Sequence, residues 1–460
     1  MTEAATVRHP ASFRDPSGFV FHRDGVLYRQ VNRVYAPHWE RFISSRLYER
    51  AEASGDLIQH EMVDVEPADA ALAHVVIRPE RIPFVSYPYE WCFGQLQAAA
   101  LLTLRLARLG LEHDMVLKDA SAYNVQFAGR RPVWIDSLSF AIYREGEAWP
   151  AYRQFCQHFL APLALAAKRD ERLLRLLRTH IDGVPLDLAS TLLPWRTRFS
   201  LPLLAHVHLH ARAQRRYAAA AAPVRARPLS RHRLRALLDH LEACVRGLRW
   251  RPAGTEWAEY AADASYADAA LAAKRDGVEA FLREAAPRLV WDLGANRGDM
   301  SRLASVRGIT TIALDADTAA VEKNYRDSLR AQDAHLLPLV QDLGNPSPAS
   351  GWNHAERDSL LARGPADAVL ALALVHHLCI SNHVPFPELA AFLARAGNWL
   401  AIEFVPKSDT QVQRLLRNRD DVFAHYAQDA FEQAFAARFE ILRRMPLPGS
   451  ERVLYWMRAR

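Results

Sequence analysis

Residues 290 to 301 read VWDLGANRGDMS, and no other stretch restricts the fold as much. Val290 and Trp291 suit the end of a buried strand, and Asp292 stands where that strand should stop. Gly294 and Gly298 bracket a tight loop, and Met300, Leu303 and Ala304 can open a helix. A strand, a glycine loop and a helix start make a ligand cradle, because absent side chains let a ligand approach the backbone. From about residue 275 the strand candidates RLVWDL, TTIALDAD, LLPLVQDL, DAVLALAL and WLAIEFVP alternate with helical segments. That rhythm predicts a parallel sheet covered on both faces. The last segment, FEILRRMPLPGSERVLYWMRA, predicts an antiparallel hairpin turning at Pro-Gly.

Two ligand classes compete for such a loop. A dinucleotide loop usually reads G-x-G-x-x-G and turns its helix toward a pyrophosphate. Here Asn296 stands within the loop and the middle glycine of that spacing is absent. A carboxylate at Asp292 would repel a pyrophosphate and suits a ligand carrying an ammonium and a sulfonium, such as S-adenosyl-L-methionine. The stretch resembles motif I of the class I methyltransferases that use this cofactor, and the resemblance covers about residues 255 to 460. It implies that Asp292, Gly294, Asn296 and Gly298 hold the cofactor. It further implies that Asp315, ending the second strand, accepts both ribose hydroxyls. Asp342 or Leu343, at the end of the third strand, would meet the adenine. The fourth strand is expected to end near Leu372 to Val375, with His376 and His377 at its lip, and Glu403 ends the fifth. All lie at strand carboxyl ends, where open α/β sheets bind ligands.

Each residue has an ordinary alternative. Asp292 could cap a helix, Asp315 could cap the helix beginning in DADTAAVEKN, and Asp342 could start a turn before NPSP. The two histidines could pack or cap, and Glu403 could be structural. If the acceptor is a hydroxyl, a general base helps, and His376 or His377 stands nearest. L-V-H-H replaces the [D/N]-P-P-[Y/F] common in methylation of nucleobase amino groups, which argues against DNA as acceptor. Cys379 reads as a buried bystander. Helices are expected over residues 256 to 282, where Tyr260 or Tyr266 would cover the cleft or simply pack.

The first part of the chain reads differently. FVFHRDGVLYRQV places a D-G turn between two β-prone runs, a hairpin signal. FGQLQAAALLTLRLARLGLEH reads as one long buried helix, and VQFAGRRPVWID as a second hairpin turning at Gly129. Residues 1 to 18 read as a mobile arm, 19 to 215 as an α+β domain, and 216 to 254 as a basic Ala/Arg/Pro linker leading into a helix. In VLKDASAYNVQFAGRRPVWIDSLSF, Asp119 and Asn124 stand five apart and Asp136 follows after a short hairpin. This resembles the catalytic loop and metal-binding aspartate of the protein kinase and aminoglycoside phosphotransferase fold. In an active member Asp119 would orient an acceptor hydroxyl, while Asn124 and Asp136 would hold magnesium with nucleotide phosphates. The chain departs from that pattern. It has no glycine-rich loop in the early strands, Arg29 is the nearest basic residue to the strand lysine, and Lys118 replaces the usual histidine or arginine.

No apolar run is long enough to span a bilayer, and the N-terminus lacks a signal-peptide core. The cysteines Cys92, Cys156, Cys244 and Cys379 form no CxxC pair, which argues against zinc and fits a reducing cytoplasm. The net charge of +6 is a weak hint of an acidic partner and more often marks a solvated surface. The expected activity is methyl transfer to a small molecule or glycan precursor, with the N-terminal domain accessory. Two alternatives stay open: a bifunctional methyltransferase and small-molecule kinase, or a regulatory protein that senses S-adenosyl-L-methionine or a nucleotide. Oligomeric state is not legible.

Overall fold

The computed structural model describes residues 6–213, 229–252, 268–417 and 421–460. The chain divides into two compact units. Unit 1 holds the residues up to Phe127, Arg131–Arg251 and Gly351–Arg357, and unit 2 holds Ala128–Arg130, Pro252–Ser350 and Asp358–Arg460.

Unit 1 opens with an antiparallel sheet of β1 (Thr6–Arg8), β2 (Gly18–Arg23), β3 (Val26–Asn32), β4 (His60–Val63) and β5 (Ala73–Pro79). The strand order is β1-β2-β3-β5-β4. Thr6–Arg8 pair with Arg23–Phe21, so this part of the expected arm is a strand. β2 and β3 turn at Asp24 and Gly25, both at positive φ, which is what the D-G signal requires of a two-residue hairpin turn. The helix Phe93–Glu112 follows, with Leu96, Leu102, Leu104, Leu106 and Leu111 buried along it. Then come β6 (Met115–Leu117), β7 (Val125–Ala128), β8 (Arg131–Trp134) and β9 (Phe140–Ile142). β6 pairs with β9, β7 pairs with β8, and Gly129 between β7 and β8 has φ +55°. Helical segments occupy much of 152–213, and the helix Arg231–Gly247 lies within the span 216–254 expected as linker and helix, of which residues 216–228, 253 and 254 lie outside the described residues.

Unit 2 is a Rossmann-like domain. Its strands are β10 (Leu289–Leu293), β11 (Thr310–Asp315), β12 (Leu336–Val340), β13 (Ala366–Ala371), β14 (Gly397–Phe404), β15 (Phe439–Pro446) and β16 (Val453–Ala459). They lie in the order β12-β11-β10-β13-β14-β16-β15. The first five are parallel, and β16 runs antiparallel between β14 and β15. The apolar runs predicted as strands are buried on both faces, as a helix-covered parallel sheet demands. Val290, Leu370, Ala401 and Trp456 pack against Val278 and Phe281 of the helix Asp268–Ala285. β10 has β11 on one side and β13 on the other. The chain therefore changes direction of progress at β10, and such a switch point leaves a crevice outside the strand carboxyl ends.

Two strand ends differ from expectation. β12 stops at Val340, so Asp342 lies in the following loop, and β13 stops at Ala371. Tyr260 and Tyr266 lie outside the described residues. Among the described residues no helix is long and apolar enough to cross a membrane.

Candidate functional site

The loop after β10 is bent by three residues at positive φ, Gly294, Asn296 and Gly298. A side chain at Gly298 would bring a Cβ to 2.5 Å from Asn324 Nδ2, and one at Gly294 to 3.2 Å from Leu374 Cδ1. The glycines thus let the loop lie against the helix Thr318–Arg330 on one side and the β13 lip on the other. The amides of Gly294 and Ala295 donate to the carbonyl of Leu314, at 2.8 and 3.0 Å. The amide of Asn296 donates to Asp315 Oδ2 at 2.7 Å, and that of Asp317 to Oδ1 at 2.8 Å. The loop is therefore tied to the end of β11 along its length.

Asp315 is partly exposed, and its two oxygens take these amides and that of Ala316 while keeping further acceptor capacity. Burial pushes its carboxyl up to about 6, although the amides of Asp317, Asn296 and Ala316 pull the other way. Asp317, not Asp315, caps the next helix, accepting from Ala319 and Ala320. Asp292 is almost fully buried beneath the loop and accepts the Ser301 hydroxyl at 2.6 Å. Burial raises its carboxyl to about 6, partly offset by Ser301 and by the Lys274 ammonium. Asp342 is exposed and accepts the Gly344 amide at 2.9 Å, the turn geometry that its sequence context also suggested. The preceding residue, Gln341, donates its amide to the Asp315 carbonyl at 2.8 Å, and Leu343 is half-buried. Asp292, Gly294, Asn296, Gly298 and Asp315 thus converge, with Asp342 and Leu343 at the margin.

The histidines divide. His376 is fully enclosed, and its ring stands 4.1 Å from that of His377. Burial, His377, Arg452 and Lys274 hold its pKa well below the ordinary range. An enclosed ring reaches no acceptor. His377 is half-buried, and burial and Arg452 lower it to about 4. Both rings sit in low dielectric beside cations, which favours the neutral imidazole. The Cys379 thiol is pushed up to about 12 by burial and stays protonated. A cavity of about 610 Å³ lies past the lip, walled by Cys379, Phe386, Phe423 and Tyr426.

Glu403 is structural in its contacts. Lys274 Nζ stands 2.7 Å from its Oε2 and Arg452 Nη1 3.4 Å from its Oε1. Arg452, fully buried, also pairs with Asp409 at 2.7 Å. Sequence reasoning missed Lys274 and Arg452. Lys274 did carry a signal: it interrupts the buried face formed by Ala270, Val278 and Phe281.

In unit 1 the three residues of D-x-x-x-x-N…D also meet. Asp119 Oδ1 accepts the Ser121 amide at 2.9 Å, and Asn124 Nδ2 donates to Ser139 Oγ at 3.2 Å. Asp136 caps a short turn through Leu138, accepts the Ser139 hydroxyl, and is paired with Arg29 at 2.6 Å. Burial pushes Asp136 up, but Arg29 and these donors outweigh it, leaving the carboxyl below its usual range. Burial and the neighbouring Asp136 raise Asp119. Lys118 donates to Ser17 Oγ at 3.1 Å and lies over the Tyr35 ring. Among the described residues no group of three or more His, Cys, Asp or Glu is placed to hold a metal ion.

No family model matches the chain. The nodulation protein NoeA of Rhizobium meliloti (strain 1021) is 36% identical over 459 residues, covering 97% of this chain and 95% of that protein. Solved structures that resemble part of it include the following three. The bifunctional kinase-methyltransferase WbdD is 16% identical, with 44% of this chain and 41% of that chain covered and a TM-score of 0.31. The magnesium protoporphyrin IX methyltransferase ChlM of Synechocystis PCC 6803 with bound SAH is 20% identical, covers 41% and 84%, and has a TM-score of 0.30. The N-methyltransferase NodS of Bradyrhizobium japonicum WM9 is 10% identical, covers 42% and 97%, and has a TM-score of 0.31.

Proposed function

The chain belongs to the family of the nodulation protein NoeA, and we propose that its unit 2 transfers a methyl group from S-adenosyl-L-methionine to an oxygen of a small molecule or glycan precursor. The observation that carries this reading is the Asp315 carboxylate. It stands at the end of β11, is tied to the glycine loop by the Asn296 amide, and its two oxygens keep acceptor capacity beyond the backbone amides they take. Two vicinal ribose hydroxyls need that acceptor pair. The residues present therefore fit the cofactor, with Asp292, Gly294, Asn296 and Gly298 forming the cradle and Asp342 or Leu343 beside the adenine. When bound, the cofactor supplies a methyl group already activated by its positive sulfur.

The chain's own contribution is mainly positioning. An acceptor oxygen must lie in line with the carbon–sulfur bond, give up its proton and take the methyl carbon, while the bond pair stays on sulfur. His377 is the residue at the lip able to accept that proton, since it is neutral above about pH 4. The nodulation name of the relative favours an acceptor from a nodulation-related process. Incubation with S-adenosyl-L-methionine and candidate glycan precursors should yield S-adenosylhomocysteine. His377→Ala should slow turnover at least about tenfold without weakening cofactor binding, and His376→Ala should not do so through chemistry. Binding without turnover on any acceptor would favour a sensor instead.

A second reading, phosphoryl transfer by a kinase-like unit 1, is favoured by the meeting of Asp119, Asn124 and Asp136. Their donors are already supplied by protein, and Arg29 holds Asp136. We therefore assign unit 1 an accessory role, and titration with magnesium and ATP tests it.

A further inference from the structure

Unit 1 displays large apolar side chains beside cations. Trp195, Phe199 and Leu201 are 68%, 78% and 76% exposed. The first two stack edge-on, with ring centroids 5.7 Å apart. Arg196 and Arg198 alternate with them and are exposed. Neither arginine forms an ion pair or side-chain hydrogen bond among the described residues, whereas many other exposed arginines do. Arg198 and Arg212 both act on the same buried ring, His208, so the cations converge on one region.

This segment is held in place. Thr197, between the two arginines, is buried and bonded to the carbonyl of Pro194 at 2.7 Å and to His208 Nε2 at 2.9 Å. His208 Nδ1 is held in turn by Ser190 Oγ at 2.8 Å. Leu193 and Leu203 anchor the ends in the core. The tip therefore presents its rings outward from a fixed base rather than as a floppy loop. The surrounding sequence is one-sided in charge. From Leu188 to Leu238 there is no Asp or Glu, and there are ten arginines.

We propose that the tip Trp195–Leu201 docks unit 1 on an anionic lipid surface, with the rings and Leu201 entering the interface and Arg196, Arg198 and Arg212 meeting the headgroups. Trp is the residue best suited to that depth, with an apolar body and a polar N–H. An apolar insertion combined with several cations gives reversible peripheral attachment. Nucleic acid fits less well, because Phe199 and Leu201 offer nothing to a phosphate backbone. The proposal is independent of methyl transfer.

The test is co-sedimentation of the full chain with vesicles of phosphatidylglycerol and phosphatidylcholine in equal parts, beside vesicles of phosphatidylcholine alone. Binding is expected to the anionic vesicles and to fall in 1 M salt. The double variant Trp195→Ser/Phe199→Ser should lower the partition coefficient about tenfold or more. The double variant Arg196→Gln/Arg198→Gln should lower it roughly fivefold or more. All four side chains are exposed, so unchanged melting curves are expected and confirm folding. Absence of binding to anionic vesicles would overturn the proposal. So would unchanged binding by both folded variants, or binding to a duplex DNA or RNA probe with none to vesicles.

Discussion

In unit 1 the Asp136 carboxylate is met by a cation, and in unit 2 the Asp315 carboxylate is met, among the described residues, by backbone amides. Both are removed from bulk water, and the consequences are opposite. Arg29 and local donors overcome the burial of Asp136 and keep it ionised to low pH. Among the described residues no cation pairs with Asp315, and burial lifts it to about 6. A carboxylate that the protein has already paired is satisfied without a ligand. One that is left electrostatically short gains from hydroxyl donors. The spacing D-x-x-x-x-N…D and the glycine loop are both ligand signals in sequence, but among the described residues only the second is tied to an acid, Asp315, with no cation paired to it.

The largest effect should come from breaking the compensated side. Arg29→Met leaves Asp136 without its counter-charge and should destabilise unit 1 by about 3–5 kcal/mol, read as a lower urea midpoint. Adding Asp136→Leu should restore most of the loss. A single variant as stable as the parent would erase the distinction between the two carboxylates. In unit 2, Gly298→Ala places a Cβ against Asn324 at a backbone angle of +79°. It should cost about 1–3 kcal/mol and loosen the loop from Asp315. Normal stability with normal cofactor binding would show that the loop's close approach is dispensable.

The smallest effect is in pH. Asp315 and Asp292 are raised to about 6, above the ordinary aspartate value of about 3.9 in the unfolded chain. Between those values the folded state holds more protons, so their contribution falls as pH rises from about 4 to 6. Asp136 acts in the reverse sense. Its contribution is present above the ordinary value and lost as pH falls through its depressed pKa. Unfolding midpoints measured across pH 4–6 should therefore rise less steeply with pH in the parent than in Asp315→Asn. Cofactor binding, which needs the ionised acceptor, should weaken as pH falls through about 6.

The sheet was legible because its strands are apolar runs buried on both faces, and the loop because glycine and asparagine tolerate its positive-φ backbone best. The Pro-Gly turn before β16 gave the closing hairpin. Arg452, however, lies just beyond that turn and reads as solvent-exposed. Its pairing with Glu403 and Asp409 depends on how β16 registers against β14, where Glu403 faces Leu454. That register is set by the whole sheet. The histidine pair failed for the same kind of reason: burial beside Lys274 and Arg452 is a property of the packed domain, not of L-V-H-H. Arg29 was noticed as the nearest cation to a lysine position, but its partner became visible only when β3 and the turn at Asp136 were brought together.

The central claim is that Asp315 is left open for the cofactor's ribose. Calorimetric titration of S-adenosyl-L-methionine at pH 8 into the full chain and into Asp315→Ala tests it most directly. The account predicts one site in the parent and affinity lower by about a hundredfold or more in the variant, which still unfolds cooperatively, since two charge-assisted hydrogen bonds to the cofactor are removed. Equal affinity in the two proteins, or no binding by the parent, would contradict it.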